Sequence, residues 1–463
     1  MMKSVTLLLT LLMAFTNAPT ELCAQSTTLT QNQRDAIIQK TATELINRYV
    51  FPDKAKEIAK ELEKQQAAGA FDELDDRDAF VDSLNAILYH VSKDKHISLS
   101  KKEMHSNAQG EQGDWTASRL QERTFYRRYN ANFKSVEKLD DNIAYLDLRG
   151  FYGLDYGRNF ADHAMAQLST ADAIIIDLRN NSGGRGDMVG YLLSYFFEEQ
   201  IITGKSRKRS GDQFTDRTHR TPIRLTGKTI ADVPVFLLTS KRTFSAAEGF
   251  SYPMQAYGRA TIIGETTKGG ANAGDLISID DELQIFIPDV AALPHPKTNE
   301  IWEGRGIVPD VKAESEQAMR VALPLAKKAA HAYKTTMDKK AKELLIKLNE
   351  TVANYDGSNP QLIVDAYLAC RQYDIIFEEW ELNALGYQFL ADKQLDTALA
   401  IFQTNATLYP HSANAFDSYA EALLAKGQQQ QAIKQYEKAI DLATQYQSDQ
   451  LDQFINHLNK AKK

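Results

Sequence analysis

The sequence predicts an α/β fold with a mostly parallel sheet at its core, a small helical bundle ahead of it and an all-helical region behind it. Three observations carry that prediction. Apolar residues recur at helical spacing through residues 30–92. From Asn142 onward, short β-rich runs alternate with helical stretches. Beyond residue 337 the chain turns rich in Ala, Gln and Leu and reads helical throughout.

The elements follow in order. Ile37, Ile38, Thr41, Leu45, Ile46 and Tyr49 recur at the spacing of one helix face. Pro52 breaks that helix and opens the next, which runs through Ile58 and Leu62, because proline fits the first helical turn. A third helix starts near Arg77 and passes through Phe80, Leu84 and Leu88. Ile143 to Leu148 alternates as a strand, and Ala173 to Leu178 reads as a buried one. Helices are expected over Asn159 to Leu168 and Met188 to Glu198, and strands near Val233 to Leu238, Ala260 to Ile263 and Leu283 to Ile287.

The C-terminal third carries an internal repeat. Leu385, Ala398 and Phe402 align with Tyr419, Ala432 and Tyr436, each 34 residues on (for example 419 − 385). The small residues Gly386 and Ala420 align as well, and Pro410 closes the first unit. This period and pattern resemble tetratricopeptide repeats; a plain helical bundle is the alternative. Two repeats are fewer than the roughly three that stability usually needs, so helices in 337–380 are expected to serve as a capping or linking unit.

Composition sets outer limits. A chain of 463 residues should hold two or three domains. The net charge is −7, from 54 basic and 61 acidic residues, which leaves no electrostatic footprint for nucleic acid. Met1-Met-Lys-Ser followed by apolar Val5 to Phe15 reads as a secretory signal, too short to span a bilayer, with cleavage expected near Ala24. A periplasmic or secreted location follows as an expectation. Cys23 sits behind Thr-Glu-Leu, which suits lipidation poorly. The other cysteine, Cys370, lies in an apolar helical stretch and reads as core. No later apolar run approaches the about 18 residues of a membrane span. The nine histidines show no metal-binding spacing, and Gly183-Gly-Arg-Gly186 lacks the spacing of a phosphate loop, so neither metal nor cofactor is expected.

The chemistry concentrates in four segments. Thr239-Ser-Lys-Arg-Thr-Phe-Ser-Ala-Ala-Glu248 joins an apolar strand to a helix. A serine at such a turn is lifted clear of the sheet, and the N–H groups behind it, Ala246 first, can face a developing oxyanion. Ser245 is therefore the candidate nucleophile; the alternative is a simple helix cap. Glu248, one turn on, reads as a stabiliser of that helix start. Asp177-Leu-Arg-Asn-Asn-Ser-Gly-Gly184 follows a buried strand, and its paired glycines allow close backbone approach, while Asp177 and Arg179 read as structural. Trp302-Glu-Gly-Arg-Gly-Ile-Val-Pro-Asp310 sets Glu303 among turn residues, and Asp94-Lys-His96 supplies an imidazole. A hydroxyl nucleophile needs a base, an orienter and oxyanion donors, and one candidate for each is present.

These segments, with Gly264-Glu-Thr-Thr-Lys-Gly-Gly270 and the stretch Tyr49-Val-Phe-Pro52, resemble the C-terminal processing, or tail-specific, serine peptidases. The branch is the one that holds interphotoreceptor retinoid-binding protein and the tricorn protease core. The resemblance runs from about Leu29 to Leu325 and implies a ClpP/crotonase-like core. By position, Ser245 matches the nucleophile, His96 the base, and Glu303, 58 residues after the serine (303 − 245), the acidic member. Gly183 or Gly184, with the N–H of Ala246, matches the oxyanion donors. Two departures stand out. Many tail-specific proteases carry a lysine base in G-K-G after G-E-T-T; that position here is Gly270, and Lys268 sits two earlier. Tricorn has a serine just before its histidine, where this chain has Lys95. The about 45 residues between His96 and Asn142 leave too little chain for the PDZ domain that many relatives carry there.

The implied organisation is a signal at 1–24, an N-terminal helical domain at 27–100, a catalytic domain at 101–330, linking or capping helices at 337–380, repeats at 381–445 and a terminal helix or tail at 446–463. The implied activity is a secreted or periplasmic serine peptidase that acts on peptides or proteins through an acyl-enzyme, with a possible protein partner at the repeats. A non-catalytic carrier of hydrophobic ligands and a repeat-based scaffold are the alternatives, since one fold serves several functions.

Overall fold

The computed structural model describes residues 28–102, 115–223 and 229–463; the expected signal segment and Cys23 lie outside them. The chain opens with α1 (Gln31–Arg48), α2 (Pro52–Ala67) and α3 (Arg77–Ser92). Thr30 and Gln33 form a capping box on α1. Pro52 holds the first position of α2, and Asp76 caps α3 by accepting the Ala79 N–H at 2.8 Å. There follow β1 (Ser98–Lys101), α4 (Trp115–Tyr129), β2 (Phe133–Leu139), β3 (Ile143–Leu148), α5 (Leu154–Leu168) and β4 (Ala173–Asp177). Next come α6 (Gly186–Leu193), β5 (Ile202–Ser210), β6 (Gln213–Arg220), β7 (Val235–Thr239), α7 (Ala246–Ala256), β8 (Ala260–Gly264), β9 (Ala273–Ser278), β10 (Leu283–Leu293) and β11 (Val311–Lys312). Helices alone complete the chain: α8 (Ala318–Ala353), α9 (Gln361–Gln372), α10 (Glu379–Ala391), α11 (Leu395–Leu408), α12 (Ala413–Ala425), α13 (Gln429–Gln445) and α14 (Leu451–Ala461).

The strands form two sheets. The first runs β11-β8-β7-β4-β3-β2, with β8 parallel to both β7 and β11. β4 and β7 are buried along their whole length, which is why they read as unbroken apolar runs. The second sheet is antiparallel, in the order β1-β10-β5-β6, with β9 also paired to β10. Only its β10 was legible in the sequence. The β5–β6 hairpin is rich in Lys and Arg, and β6 is exposed at every residue, so no apolar alternation marks it. α6 ends at Leu193, short of the expected Glu198, because the Tyr195 and Phe196 N–H groups turn back three residues to Leu192 and Leu193.

The chain divides into two compact units. The first takes residues up to 137, with 145–170 and 175–322. Its N-terminal helices share one core with the antiparallel sheet: Leu45, Ile58, Leu62, Phe80 and Leu84 join Leu99 of β1 and Leu283, Ile285 and Ile287 of β10. The second unit takes 138–144, 171–174 and 323–463. There α10 and α12 begin 34 residues apart (413 − 379), as do α11 and α13 (429 − 395). Gly386 lets α10 close on α11, since a Cβ at that position would lie 2.6 Å from the Phe402 ring. Cys370 is free and buried beside Ile363, Tyr367 and Leu382. Among the described residues no helix is long and apolar enough to cross a membrane.

Candidate active site

Ser245 stands between β7 and α7 with φ 54 and ψ −118. That backbone conformation costs a residue with a side chain roughly 1–3 kcal/mol and persists only where its surroundings impose it. The imposing bonds are present. Thr243 Oγ1 donates to the Leu178 carbonyl at 2.8 Å, and Ser240 Oγ donates to that of Arg179 at 2.6 Å. The Phe244 N–H donates to the Asn181 carbonyl at 3.1 Å. The Ser245 N–H donates to Glu248 Oε2 at 2.9 Å. Ala246 then begins α7, and a first helical residue has no acceptor for its N–H within the helix.

The glycine pair meets this turn. Gly183 has φ 112, and a Cβ on it would lie 2.9 Å from Ser245 Cβ and 3.1 Å from the Ala246 nitrogen. Gly184 has φ 135, and its Cβ would fall 2.2 Å from the Phe151 carbonyl oxygen. The Gly183 N–H donates to Asn181 Oδ1 at 2.9 Å. Of the two glycines, Gly184 therefore keeps its N–H without an acceptor among the described residues. Asp177 and Arg179 brace the loop: Arg179 Nη2 meets Asp177 Oδ2 at 2.6 Å and its Nη1 donates to the Ser315 carbonyl at 2.7 Å.

His96 lies on the link between α3 and β1, 6 % exposed. Its ring packs against that of Phe244, the residue before Ser245, with centroids 4.4 Å apart and planes tilted by 31°, and Phe286 of β10 lies at 5.6 Å. Its Nδ1 faces Asp94 Oδ1 at 3.7 Å, and neither ring nitrogen makes a hydrogen bond, so the imidazole is not bonded to the Ser245 hydroxyl in this state. Asp94 itself is fixed from three sides: by the His96 N–H at 2.9 Å, Asn272 Nδ2 at 2.9 Å and the Tyr49 hydroxyl at 3.2 Å. Burial works to raise the Asp94 carboxyl, but the His96 ring and N–H and the Asn272 amide hold it below its ordinary value.

Glu303 reaches the same place from the Trp302–Asp310 loop. Its Oε2 accepts the Ala271 N–H at 2.5 Å and that of Asn272 at 3.0 Å; its Oε1 is buried without a partner. Burial, then the Asp94 charge, raises the Glu303 carboxyl, against the pull of these N–H groups and of His96. Asn272 thus ties the two carboxyl groups together, one by its side chain and one by its backbone. Lys268 places its ammonium over the Phe244 ring, 4.6 Å from the centroid. Lys95 Nζ donates to the Lys268 carbonyl.

Glu248 has a larger part than its sequence position suggests. It is fully buried and, besides the Ser245 N–H, accepts those of Gly269 at 2.7 Å and Gly270 at 2.8 Å and the Thr267 hydroxyl. It clamps the Gly264–Gly270 loop to the serine turn. Burial raises its carboxyl despite these four donors. Sequence reasoning missed this clamp, the Asn272 bridge and the place of Asp94 against the ring. Only the last left a trace in the sequence, as the D-x-H spacing. No group of three or more His, Cys, Asp or Glu among the described residues is arranged to hold a metal ion.

Two family models match the chain. Peptidase family S41 matches residues 142–313, and the N-terminal domain of that family in eukaryotic IRBP matches residues 23–125. The carboxyl-terminal-processing protease of Synechocystis is 29 % identical over 204 residues, 42 % of this chain and 44 % of that protein. The protease of the same name from Picosynechococcus is 26 % identical over 180 residues, 38 % of this chain and 40 % of that protein. The chain thus spans less than half the length of these two relatives. Among solved structures, a putative peptidase of Parabacteroides merdae aligns with 63 % of this chain and 96 % of its own, at 19 % identity and a TM-score of 0.43. With the serine turn, the glycine pair and the loops around Glu248 and Glu303 all falling inside the matched span, the chain belongs to peptidase family S41 and carries the N-terminal domain of its IRBP-type members.

Proposed function

We propose that the chain is a serine peptidase of the carboxyl-terminal-processing kind, with Ser245 as nucleophile and His96 as general base. The observation that carries this reading is the Ser245 turn: a serine held at φ 54 at the head of α7, with Gly183 against its Cβ and His96 packed against its neighbour Phe244.

The chemistry follows from the placement. The Nδ1 edge of His96 faces Asp94, which leaves Nε2 for the serine. The buried imidazole has both nitrogens unengaged and turns toward Oγ when substrate fills the site. As Oγ bonds to the peptide carbonyl carbon, Nε2 takes the hydroxyl proton, and the carbonyl electron pair moves onto oxygen. The N–H groups of Gly184 and Ala246 receive that oxyanion. The C–N bond then breaks, Nε2 returns the proton to the leaving amine, and water repeats the sequence on the acyl-enzyme. Asp94 holds the ring's orientation, and Glu303, fixed to the Ala271 and Asn272 amides, closes the far side of that pair. The substrate is a peptide or protein met in the periplasm or outside the cell, as the leader segment suggests. The helix pairs of the second unit are its proposed partner surface.

A fluorophosphonate probe tests the reading. The wild-type chain takes up one label, and Ser245→Ala takes up none. Absence of label on a folded wild-type chain, or label that survives Ser245→Ala, removes Ser245 from the account.

A further inference from the structure

Beside the serine turn lies a cavity of about 790 Å³. Its walls include Gly249, one helical turn after Ser245, Ala271, whose N–H holds Glu303, and Trp302, the neighbour of Glu303. Other parts of the wall are apolar, among them Leu154, Val189 and Val290. The rim toward the β5–β6 hairpin is cationic: Lys205, Lys208, Arg217 and Arg220 all line it.

The cations fall into two sets. Lys208 is engaged with Asp289 at 3.1 Å. Close by on the hairpin, Arg207 takes both oxygens of Asp216, at 2.7 and 2.9 Å. Lys205 sits within the field of Asp216, whose carboxyl it helps to lower. Arg217 and Arg220 have no acidic partner among the described residues, and among those residues the sole carboxylate in the wall, Asp187, lies 3.7 Å from Arg185. Ser206 pairs with Arg217 across the hairpin and Lys208 with Thr215, so Arg217 and Lys208 share one face of the ribbon, while Lys205, opposite Thr218, lies on the other face with Asp216. The chain as a whole is acidic, with a net charge of −7. A rim of one sign raises the local concentration of the opposite charge.

We propose that this cavity is the substrate cleft and that it selects peptides carrying side-chain carboxylates next to an apolar residue. Arg217 and Arg220 receive the carboxylates, and the Leu154, Val189 and Val290 wall receives the apolar neighbour. The assignment rests on the peptidase reading for its link to cleavage, but peptide binding is measurable without turnover.

The test uses the full chain with Ser245→Ala, so that binding is read apart from catalysis. Fluorescein-labelled octapeptides of identical length, with a central Leu flanked by Glu, by Gln or by Lys, are titrated by anisotropy. The Glu peptide is expected to bind about fivefold to tenfold tighter than the Gln peptide, and the Lys peptide weakest, with the margin shrinking as salt rises. Arg217→Ala with Arg220→Ala, both on a fully exposed strand, should bring the Glu/Gln ratio toward one while the thermal midpoint holds. Equal binding of the three peptides, no binding of any, or a Glu preference that survives the double substitution overturns the proposal. Tight Glu-dependent binding by a chain whose wild type cleaves nothing would leave the cleft standing and sink the peptidase reading.

Discussion

A Cβ on Gly270 would lie 2.5 Å from His96 Cε1 and 2.1 Å from the Phe244 ring, so the imidazole occupies the space that a side chain at position 270 would need. Position 270 is where many tail-specific proteases place a lysine base. In this chain, a lysine there and the observed seat of His96 exclude each other. The absence of a side chain at Gly270 is thus part of what makes a histidine base possible.

Gly270→Ala tests that relationship. The methyl group must displace the imidazole or Phe244, and kcat/KM should fall by about 100-fold or more, since small displacements of a catalytic group cost that much. Circular dichroism should show the fold retained. A Gly270→Ala enzyme with near wild-type kcat/KM would mean that the ring seat is irrelevant to turnover.

Asp94→Asn tests the orienting carboxylate. The variant keeps shape but not charge opposite Nδ1, and kcat should drop by about 10²-fold or more while KM moves little. The same group makes a stability prediction. Its folded-state value lies below the ordinary 3.8, so the unfolded chain binds the proton more readily. The contribution is present above pH 3.8 and lost as pH falls toward the lower folded value. Acid unfolding of Asp94→Asn should lack that component; an identical acid profile would show that Asp94 is not held as described.

Glu248 carries the opposite sign. Its folded carboxyl sits above the ordinary 4.5, so the native state binds the proton more readily, and stability falls as pH rises from 4.5 through the folded value. Glu248→Gln should flatten that decline. Glu248→Ala strands the Ser245, Gly269 and Gly270 N–H groups and the Thr267 hydroxyl, and should cost at least about 3 kcal/mol in denaturant unfolding. A loss under about 1 kcal/mol would mean that water replaces the clamp without penalty.

Gly183→Ala probes the cradle. The added methyl meets Ser245 Cβ at 2.9 Å, and φ 112 is a conformation that suits only glycine. Fluorophosphonate labelling should fall more than tenfold even where the chain remains folded. Unchanged labelling would place the glycine loop away from the reacting serine.

Much of this was legible in the sequence, for physical reasons. β4 and β7 announce themselves because strands buried on both faces must be continuously apolar. α1, α2 and α3 carry apolar stripes, and Pro52 marks the start of α2; the Thr30 and Asp76 caps emerged only in the structure. The β5–β6 hairpin was invisible because a solvated, Arg-rich ribbon has no burial pattern. Ser245, Gly183 and Gly184 stood out because turns that need unusual backbone angles restrict residue type. The Asn272 bridge did not, because it joins residues 178 apart in sequence by one side chain. Nor did Glu248 as a clamp: a glutamate one turn into a helix looks like any capping glutamate until the loop it binds is in place.

His96, and not Lys268, is the proposed base for Ser245. The direct measurement is kcat/KM on one internally quenched peptide for the wild type, Ser245→Ala, His96→Ala and Lys268→Ala. Ser245→Ala and His96→Ala are each expected to lose about 10³-fold or more, while Lys268→Ala, at the residue whose ammonium lies over the Phe244 ring, is expected to stay within about fivefold. Collapse of Lys268→Ala with His96→Ala still active would move the base to Lys268.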